Sequence, residues 1–324
     1  VLATRGGSHA GAAAGREAPA EREAGRAKVK TSYSKADFEF GKKLGEGSYS
    51  RVLEARNMHS GEMCAIKIVE KALVIKEKKT KYVVMEKDCL NLCRHPNIVR
   101  LFCTFQDANR LYFVMERCTT DLFAVLKKQG TFGEACGKFF AAELVDVLRY
   151  MHSKMVIHRD VKPENFLLSA EGHLKITDFG TAKIEKPGEE RSKSFVGTAE
   201  YVSPEILEND GACQSSDLWS LGCVIFQFFA GKVPFRGGTE YLTFQQILAL
   251  EYKFPERFPE DAKKIVESLL VIDPVKRLGS DETGKATRYD DIVAHPFFSG
   301  IEWTNPPLHE QTPPPIQPYK PAES

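Results

Sequence analysis

The sequence predicts an α+β fold in two unequal lobes: a small antiparallel β lobe with one helix, then a larger α-helical lobe. Two observations carry this. Residues 38–40, 51–56 and 64–69 are short apolar runs separated by glycine turns, the texture of strands. After Thr119 the apolar residues recur at helical spacing instead. A chain of 324 residues with 42% hydrophobic residues and 21 phenylalanines can bury a core across both lobes and leave a cleft between them.

The elements follow in order. Residues 1–32 are rich in Ala, Gly, Arg and Glu, contain no aromatic residue and are expected to stay disordered. Residues 71–93 carry a mixed face of Val83, Val84, Glu86, Leu90 and Cys93 and read as one helix. Strands at 101–105 and 111–115 flank the turn Gln106-Asp107-Ala108-Asn109. Residues 134–152 form a long amphipathic helix with apolar residues at 139, 140, 144, 147, 148 and 151. Two short strands at 166–168 and 174–176 bracket Gly172, and helices are expected near 216–230, 241–250 and 261–271. The small lobe spans about 38–117, the large lobe about 118–298, and the proline-rich residues 299–324 should be extended.

Composition excludes several functions. Lys+Arg is 45 against Asp+Glu 44, a net charge of +1, which argues against a protein that grips nucleic acid through a basic surface. The most apolar run, Leu221 to Ala230, is far short of the ~18–20 residues of a membrane span and contains Gln227. Cys89 and Cys93 are four apart, but no second Cys/His pair completes a metal site, so the eight cysteines read as reduced, mostly buried thiols of an intracellular protein.

Four motifs carry chemistry. Leu44-Gly45-Glu46-Gly47-Ser48-Tyr49-Ser50-Arg51-Val52 joins two strands by a glycine turn that can bring backbone N–H groups to phosphate oxygens; an ordinary hairpin explains it equally well. Lys67, within Cys64-Ala65-Ile66-Lys67-Ile68, sits among apolar residues and needs an anion, which Glu86 on the following helix can supply. In Ile157-His158-Arg159-Asp160-Val161-Lys162-Pro163-Glu164-Asn165, Asp160 can accept a proton from an attacking hydroxyl. Lys162 can meet charge on a moving phosphoryl group, and the Asn165 amide oxygen can bind a metal. Buried flanks around so many charges demand a reason. Ile176-Thr177-Asp178-Phe179-Gly180 follows, with Asp178 able to hold Mg²⁺ and Gly180 able to turn sharply.

With these motifs, Ser203-Pro204-Glu205, Asp217 and Arg277 in order, residues 38–298 resemble the eukaryotic protein kinase family, and the fold expected is its bilobal one. Lys162 with Thr198 is similar to the Ser/Thr branch. The Thr104-Phe105-Gln106-Asp107, Leu111-Tyr112-Phe113 and Ser194-to-Glu205 segments resemble the AGC group, in particular its kinases that phosphorylate the activation loops of other AGC kinases. The resemblance implies an ATP- and Mg²⁺-dependent Ser/Thr protein kinase of the cytoplasm, with Lys67, Glu86, Asp160 and Lys162 catalytic and Asn165 and Asp178 as metal ligands. It implies that Leu44, Val52, Ala65, Leu167, Thr177 and Met115 line the adenine slot, and that Glu116 and Cys118 bind the adenine edge through their backbones. Asp121 takes the ribose, while residues 45–50 and Glu164 complete the nucleotide site. Glu205 should pair with Arg277, and Asp217 should brace the catalytic loop.

The resemblance makes Ser194 an activating phosphosite whose phosphate Arg159 and Lys183 would hold; the helix arginine that helps in such kinases is replaced by Met85, leaving Tyr82. It implies a groove for the Phe-rich hydrophobic motif of partner AGC kinases, formed by Lys71, Val74, Ile75, Val83, Val84, Thr104, Gln106, Leu111 and Phe113, with Lys87 available for a phosphate. Simple packing of the helix on the sheet would use Val74, Ile75, Val83 and Val84 equally well. A lipid-binding domain, frequent in such kinases, has no counterpart in these residues. The rival reading is a pseudokinase scaffold, whose usual sign, loss of the lysine or of either aspartate, is missing.

Overall fold

The computed structural model describes residues 33–186, 188, 191, 192 and 196–317. The expected phosphosite Ser194 and the segment 1–32 lie outside the described residues.

The small lobe is a five-stranded antiparallel sheet of β1 (Phe38–Glu46), β2 (Ser50–Asn57), β3 (Met63–Glu70), β4 (Leu101–Gln106) and β5 (Arg110–Met115), ordered β1-β2-β3-β5-β4. Side chains alternate between faces, so β3 divides its residues. Cys64, Ile66 and Ile68 join Phe38, Tyr112 and Val114 in an outer cluster, where the Phe105 ring stacks 4.5 Å from Tyr112. Ala65, Lys67 and Val69 are left facing the cleft, and Val69 joins the main core.

The stretch expected as one helix over 71–93 divides into α1 (Lys71–Lys76) and α2 (Thr80–Leu92). From the buried Val74, an unbroken helix would next turn Glu77, Lys78 and Lys81 inward. The chain instead breaks at Lys78, whose φ is +56°, and α2 restarts with Val83, Glu86 and Leu90 buried. The charges stay in solvent.

The large lobe begins with β6 (Thr120–Asp121) and α3 (Leu122–Gln129), a helix absent from the sequence reading. The long α4 (Glu134–Ser153) follows, then β7 (Val156–Ile157), β8 (Phe166–Leu168), β9 (Leu174–Ile176) and β10 (Lys183–Ile184). The helices α5 (Pro204–Leu207), α6 (Gln214–Ala230), α7 (Glu240–Leu248), α8 (Glu260–Leu269) and α9 (Tyr289–Val293) complete it. Every residue of α6 from Gln214 to Phe229 is buried, so its apolar run serves a helix core. No helix among the described residues is long and apolar enough to cross a membrane.

The segment after residue 298 lies on the large lobe. Trp303 packs edge-on against Phe298 at 5.3 Å, Leu308 is buried, and the Gln317 carbonyl accepts from the Gly133 N–H at 2.5 Å.

Candidate active site

The site forms where the cleft face of β3 meets the loops after β7 and β9. On β3, Lys67 lies opposite Val52 of β2 and Phe113 of β5, fixing its direction. Its Nζ reaches both Glu86 carboxylate oxygens, at 2.6 and 2.7 Å, from α2 across the core. Burial pulls the Lys67 ammonium down, but the Glu86 and Asp178 carboxylates outweigh it and raise its pKa. Burial also pushes the Glu86 carboxyl up, opposed by Lys67. The need for an anion inferred from the apolar neighbours of Lys67 is met.

The β1–β2 turn closes over the cleft with the Gly47 N–H donating to the Ser50 carbonyl at 2.7 Å. A Cβ built on Gly45 would meet nothing within 4 Å. The protein's own packing therefore does not require that glycine, which fits a turn whose open side faces a ligand. Tyr49, half-buried at the tip, packs on the main core, while Glu46 pairs outward with Lys43 at 2.6 Å.

The catalytic-loop residues converge tightly. Asp160 accepts from the Thr198 hydroxyl at 2.9 Å and from Asn165 Nδ2 at 2.9 Å, and lies 2.9 Å from Lys162 Nζ. Lys162 donates to Thr198 Oγ1 at 2.5 Å, so the pair associated with the Ser/Thr branch meets on one carboxylate. Asn165 spends its amide N–H groups on Asp160, which leaves its Oδ1 as an acceptor. Asp178 adopts φ +61°, ψ +69°, caps the 3-10 turn at Phe179–Thr181, and is exposed toward the cleft. A carboxylate and an amide oxygen are the hard oxygen donors Mg²⁺ takes, so these two residues fit the metal.

The loop is held from below. Asp217 of α6 accepts the backbone N–H groups of His158 at 2.8 Å and Arg159 at 2.9 Å, and lies 2.9 Å from His152 Nε2. Burial alone would push its carboxyl up, but these partners hold it below the ordinary value. Arg277 grips Glu205 through two nitrogens at 3.1 and 3.0 Å. Both structural pairings implied by the resemblance are present.

The nucleotide-slot residues are distributed as follows. Ala65 and Met115 are buried, Val52, Leu167 and Thr177 half-buried, and Leu44, Ser48 and Glu164 exposed at the mouth. The Glu116 N–H donates to the Arg100 carbonyl at 2.8 Å, so its own carbonyl is the group left for an adenine edge; half-buried Cys118 follows two residues on. Asp121 caps α3 by accepting the Ala124 N–H at 2.7 Å, a role the sequence reading missed.

Arg159 is turned onto the activation segment, donating to the Thr181 and Ala182 carbonyls at 2.6 and 3.2 Å and to Ser192 Oγ at 3.0 Å. Burial lowers its pKa. Lys183 lies on β10 opposite Ile157, and Met85 packs on the main core. Of the expected groove residues, Val74, Val83 and Phe113 are core, so simple helix-on-sheet packing accounts for Val74 and Val83 but not for Ile75 and Val84. Ile75 (70% exposed), Val84 (50%), Lys87, Thr104 and Gln106 are open, with Leu111 between, and Lys71 bonds the Asp107 carbonyl at 2.6 Å.

Two positions escaped the sequence reading. Gly197 has φ +107°, and a Cβ there would lie 2.7 Å from the Arg159 carbonyl oxygen. Any side chain would push the activation segment off the catalytic loop. Glu143, a lone acid on the apolar face of α4, is fully buried and accepts from Asn97 Nδ2 and the Leu174 N–H, with His173 Nδ1 at 2.7 Å. It ties the α2–β4 connection to the strand that leads into Asp178. An acid on an apolar stripe is its only sequence signal.

A lysine–glutamate pair over a glycine turn, with a catalytic-loop aspartate and a metal-ready aspartate beneath, describes a protein kinase. The model of the protein kinase domain matches residues 38–298, and the chain belongs to that family. It is 51% identical over 291 residues to "3-phosphoinositide-dependent protein kinase 1" of Rattus norvegicus, covering 89% of this chain and 51% of the relative. The protein of that name in Arabidopsis thaliana is 41% identical over 298 residues, covering 89% of this chain and 60% of the relative. "Serine/threonine-protein kinase ksg1" of Schizosaccharomyces pombe is 46% identical over 301 residues, covering 88% and 49%. The chain spans about half the length of most of these curated relatives.

Proposed function

We propose that this domain transfers the γ-phosphoryl group of ATP to serine or threonine hydroxyls of proteins, and that its substrates are activation loops of AGC-type kinases. The observation that carries the transfer is the intact Lys67–Glu86 pair, at 2.6 Å, facing the Asp160–Lys162–Thr198 cluster. Lys67, oriented by Glu86, binds the nucleotide phosphates. Asp160 orients the attacking hydroxyl and takes its proton. Lys162, held by Thr198, stabilises charge on the transferred group. Mg²⁺ held by Asp178 and Asn165 would neutralise phosphate charge. These complete parts favour catalysis over a scaffold.

The choice of substrate rests on the similarity to 3-phosphoinositide-dependent kinases and on the open rim of Ile75, Val84 and Leu111 beside α2. An exposed apolar rim suits a Phe-rich peptide, and Lys87 suits a phosphate next to it. Ser194 is the proposed site of activating phosphorylation, with Arg159 and Lys183 as its phosphate ligands.

Mass spectrometry after incubation with Mg·ATP tests the transfer. Wild type expressed in bacteria should carry phosphate on Ser194, and the Asp178→Asn variant should carry none while staying folded. Comparable phosphate on both would overturn the metal assignment. For docking, Leu111→Glu should slow phosphorylation of a kinase bearing a hydrophobic motif by about tenfold or more while sparing a short activation-loop peptide. Equal loss on both substrates would remove the groove from the mechanism.

A further inference from the structure

Behind the catalytic loop the Asp217 brace extends into a buried polar relay. Tyr289 of α9 places its hydroxyl 2.8 Å from His152 Nδ1, and His152 Nε2 lies 2.9 Å from Asp217, whose two oxygens hold the His158 and Arg159 N–H groups. All three side chains are buried: Tyr289 is 4% exposed, His152 3% and Asp217 0%. A phenylalanine would fill the same space as Tyr289 without a hydroxyl to desolvate, so the hydroxyl needs a reason beyond packing.

The surroundings supply one. A cavity of about 410 Å³ opens beside the relay, lined in part by His152, Met155, Gln214 and Tyr289. The His152 side chain is only 1% accessible, so little water competes for it and its orientation falls to its hydrogen bonds. Burial holds the Tyr289 phenol well above its ordinary pKa, so it keeps a proton to donate, while Asp217 stays ionised and accepts. Tyr289 O–H to Nδ1 and Nε2–H to Asp217 is the arrangement that satisfies every group.

We propose that Tyr289 is a positioning residue for phosphoryl transfer: its hydroxyl fixes the His152 ring, which holds Asp217 in place to clamp the loop carrying Asp160. Arg159, just before Asp160, has φ +66°, a conformation a non-glycine residue keeps only when it is held. Asp217 holds its backbone N–H, while the activation segment holds its side chain. The proposal rests on the kinase reading above.

The test uses the full chain and the Tyr289→Phe variant. With saturating Mg·ATP and peptide, kcat should fall about tenfold, while KM for ATP and the thermal midpoint stay near those of wild type. Histidine ¹⁵N NMR should show an Nε2–H tautomer for His152 with a hydrogen-bonded Nδ1 in wild type and a bare, shifted Nδ1 in the variant, and the His158 and Arg159 amide resonances should move with it. Because both changes act through one relay, adding His152→Gln to Tyr289→Phe should cost no more than the worse single change. An unchanged kcat, unmoved His158 and Arg159 amide resonances, a loss of rate that merely tracks unfolding, or losses that multiply would each overturn the proposal. If wild type itself transferred no phosphate, the kinase reading would fall, and the His158 and Arg159 amide resonances would decide the positioning role alone.

Discussion

Two acid–base pairs hold this molecule in opposite ways. In the cleft, Lys67 meets Glu86 at 2.6 Å with the lysine side chain 14% accessible, and the two come from a strand and a separate helix. Deep in the large lobe, Arg277 and Glu205 are 0% and 2% accessible. Arg277 also donates to the carbonyls of Val271 and Ser215, while the Ser216 hydroxyl donates to Glu205 at 2.7 Å. The cleft pair, joining a strand to the middle of α2, leaves a lysine with room for another anion. The large-lobe pair uses its planar, bidentate geometry fully and leaves nothing for a ligand. One pair is a tool and the other a rivet.

That contrast can be broken most severely at Lys67. Lys67→Met should lower transfer by on the order of 10²- to 10³-fold while the thermal midpoint moves by only a few degrees; a large loss of stability would make this pair a rivet as well. Arg277→Met should do the reverse. It leaves Glu205 buried and unpaired, which costs about 3–5 kcal/mol and should lower the midpoint by roughly 10 °C, read by calorimetry. Activity of the molecules that remain folded should be much less affected.

Acid sharpens the comparison further. Burial pushes the Glu205 carboxyl up, but Arg277 and the Ser216 hydroxyl outweigh it and hold it below its ordinary value. A depressed carboxylate contributes stability above its unfolded pKa, roughly pH 4, and loses that contribution as pH falls through the folded value. In Arg277→Met the sign inverts, because an unpaired buried carboxyl is raised and gains from protonation. The difference in midpoint between wild type and Arg277→Met should therefore shrink between pH 7 and pH 5. A constant gap would mean that Glu205 is not the cost.

The two regions were not equally legible in the sequence. Lys67 stood out as a charge among apolar neighbours, and Asp160, Lys162, Asn165 and Asp178 as polar residues of two short loops set between apolar flanks; such residues declare a need for partners. The division of residues 71–93 into two helices was hidden. It depends on which face meets the sheet, and only that contact makes Glu77 and Lys78 unacceptable in an unbroken helix. The α3 helix was missed because Asp121 read as a ligand-binding acid, while its first role in the fold is to cap.

By itself the sequence determined the strand-then-helix order, the chemistry gathered in the two short loops at residues 157–165 and 176–180, and the lobes that bear them. Those follow from periodicity and from charges close together along the chain. Tertiary structure decided what spans long separations: Glu143 knotting His173 and Asn97, Gly197 pressed against the Arg159 carbonyl, and Tyr289 reaching His152 across 137 residues. No local pattern marks such contacts, since the partner that makes each residue necessary arrives only when distant segments pack and exclude water.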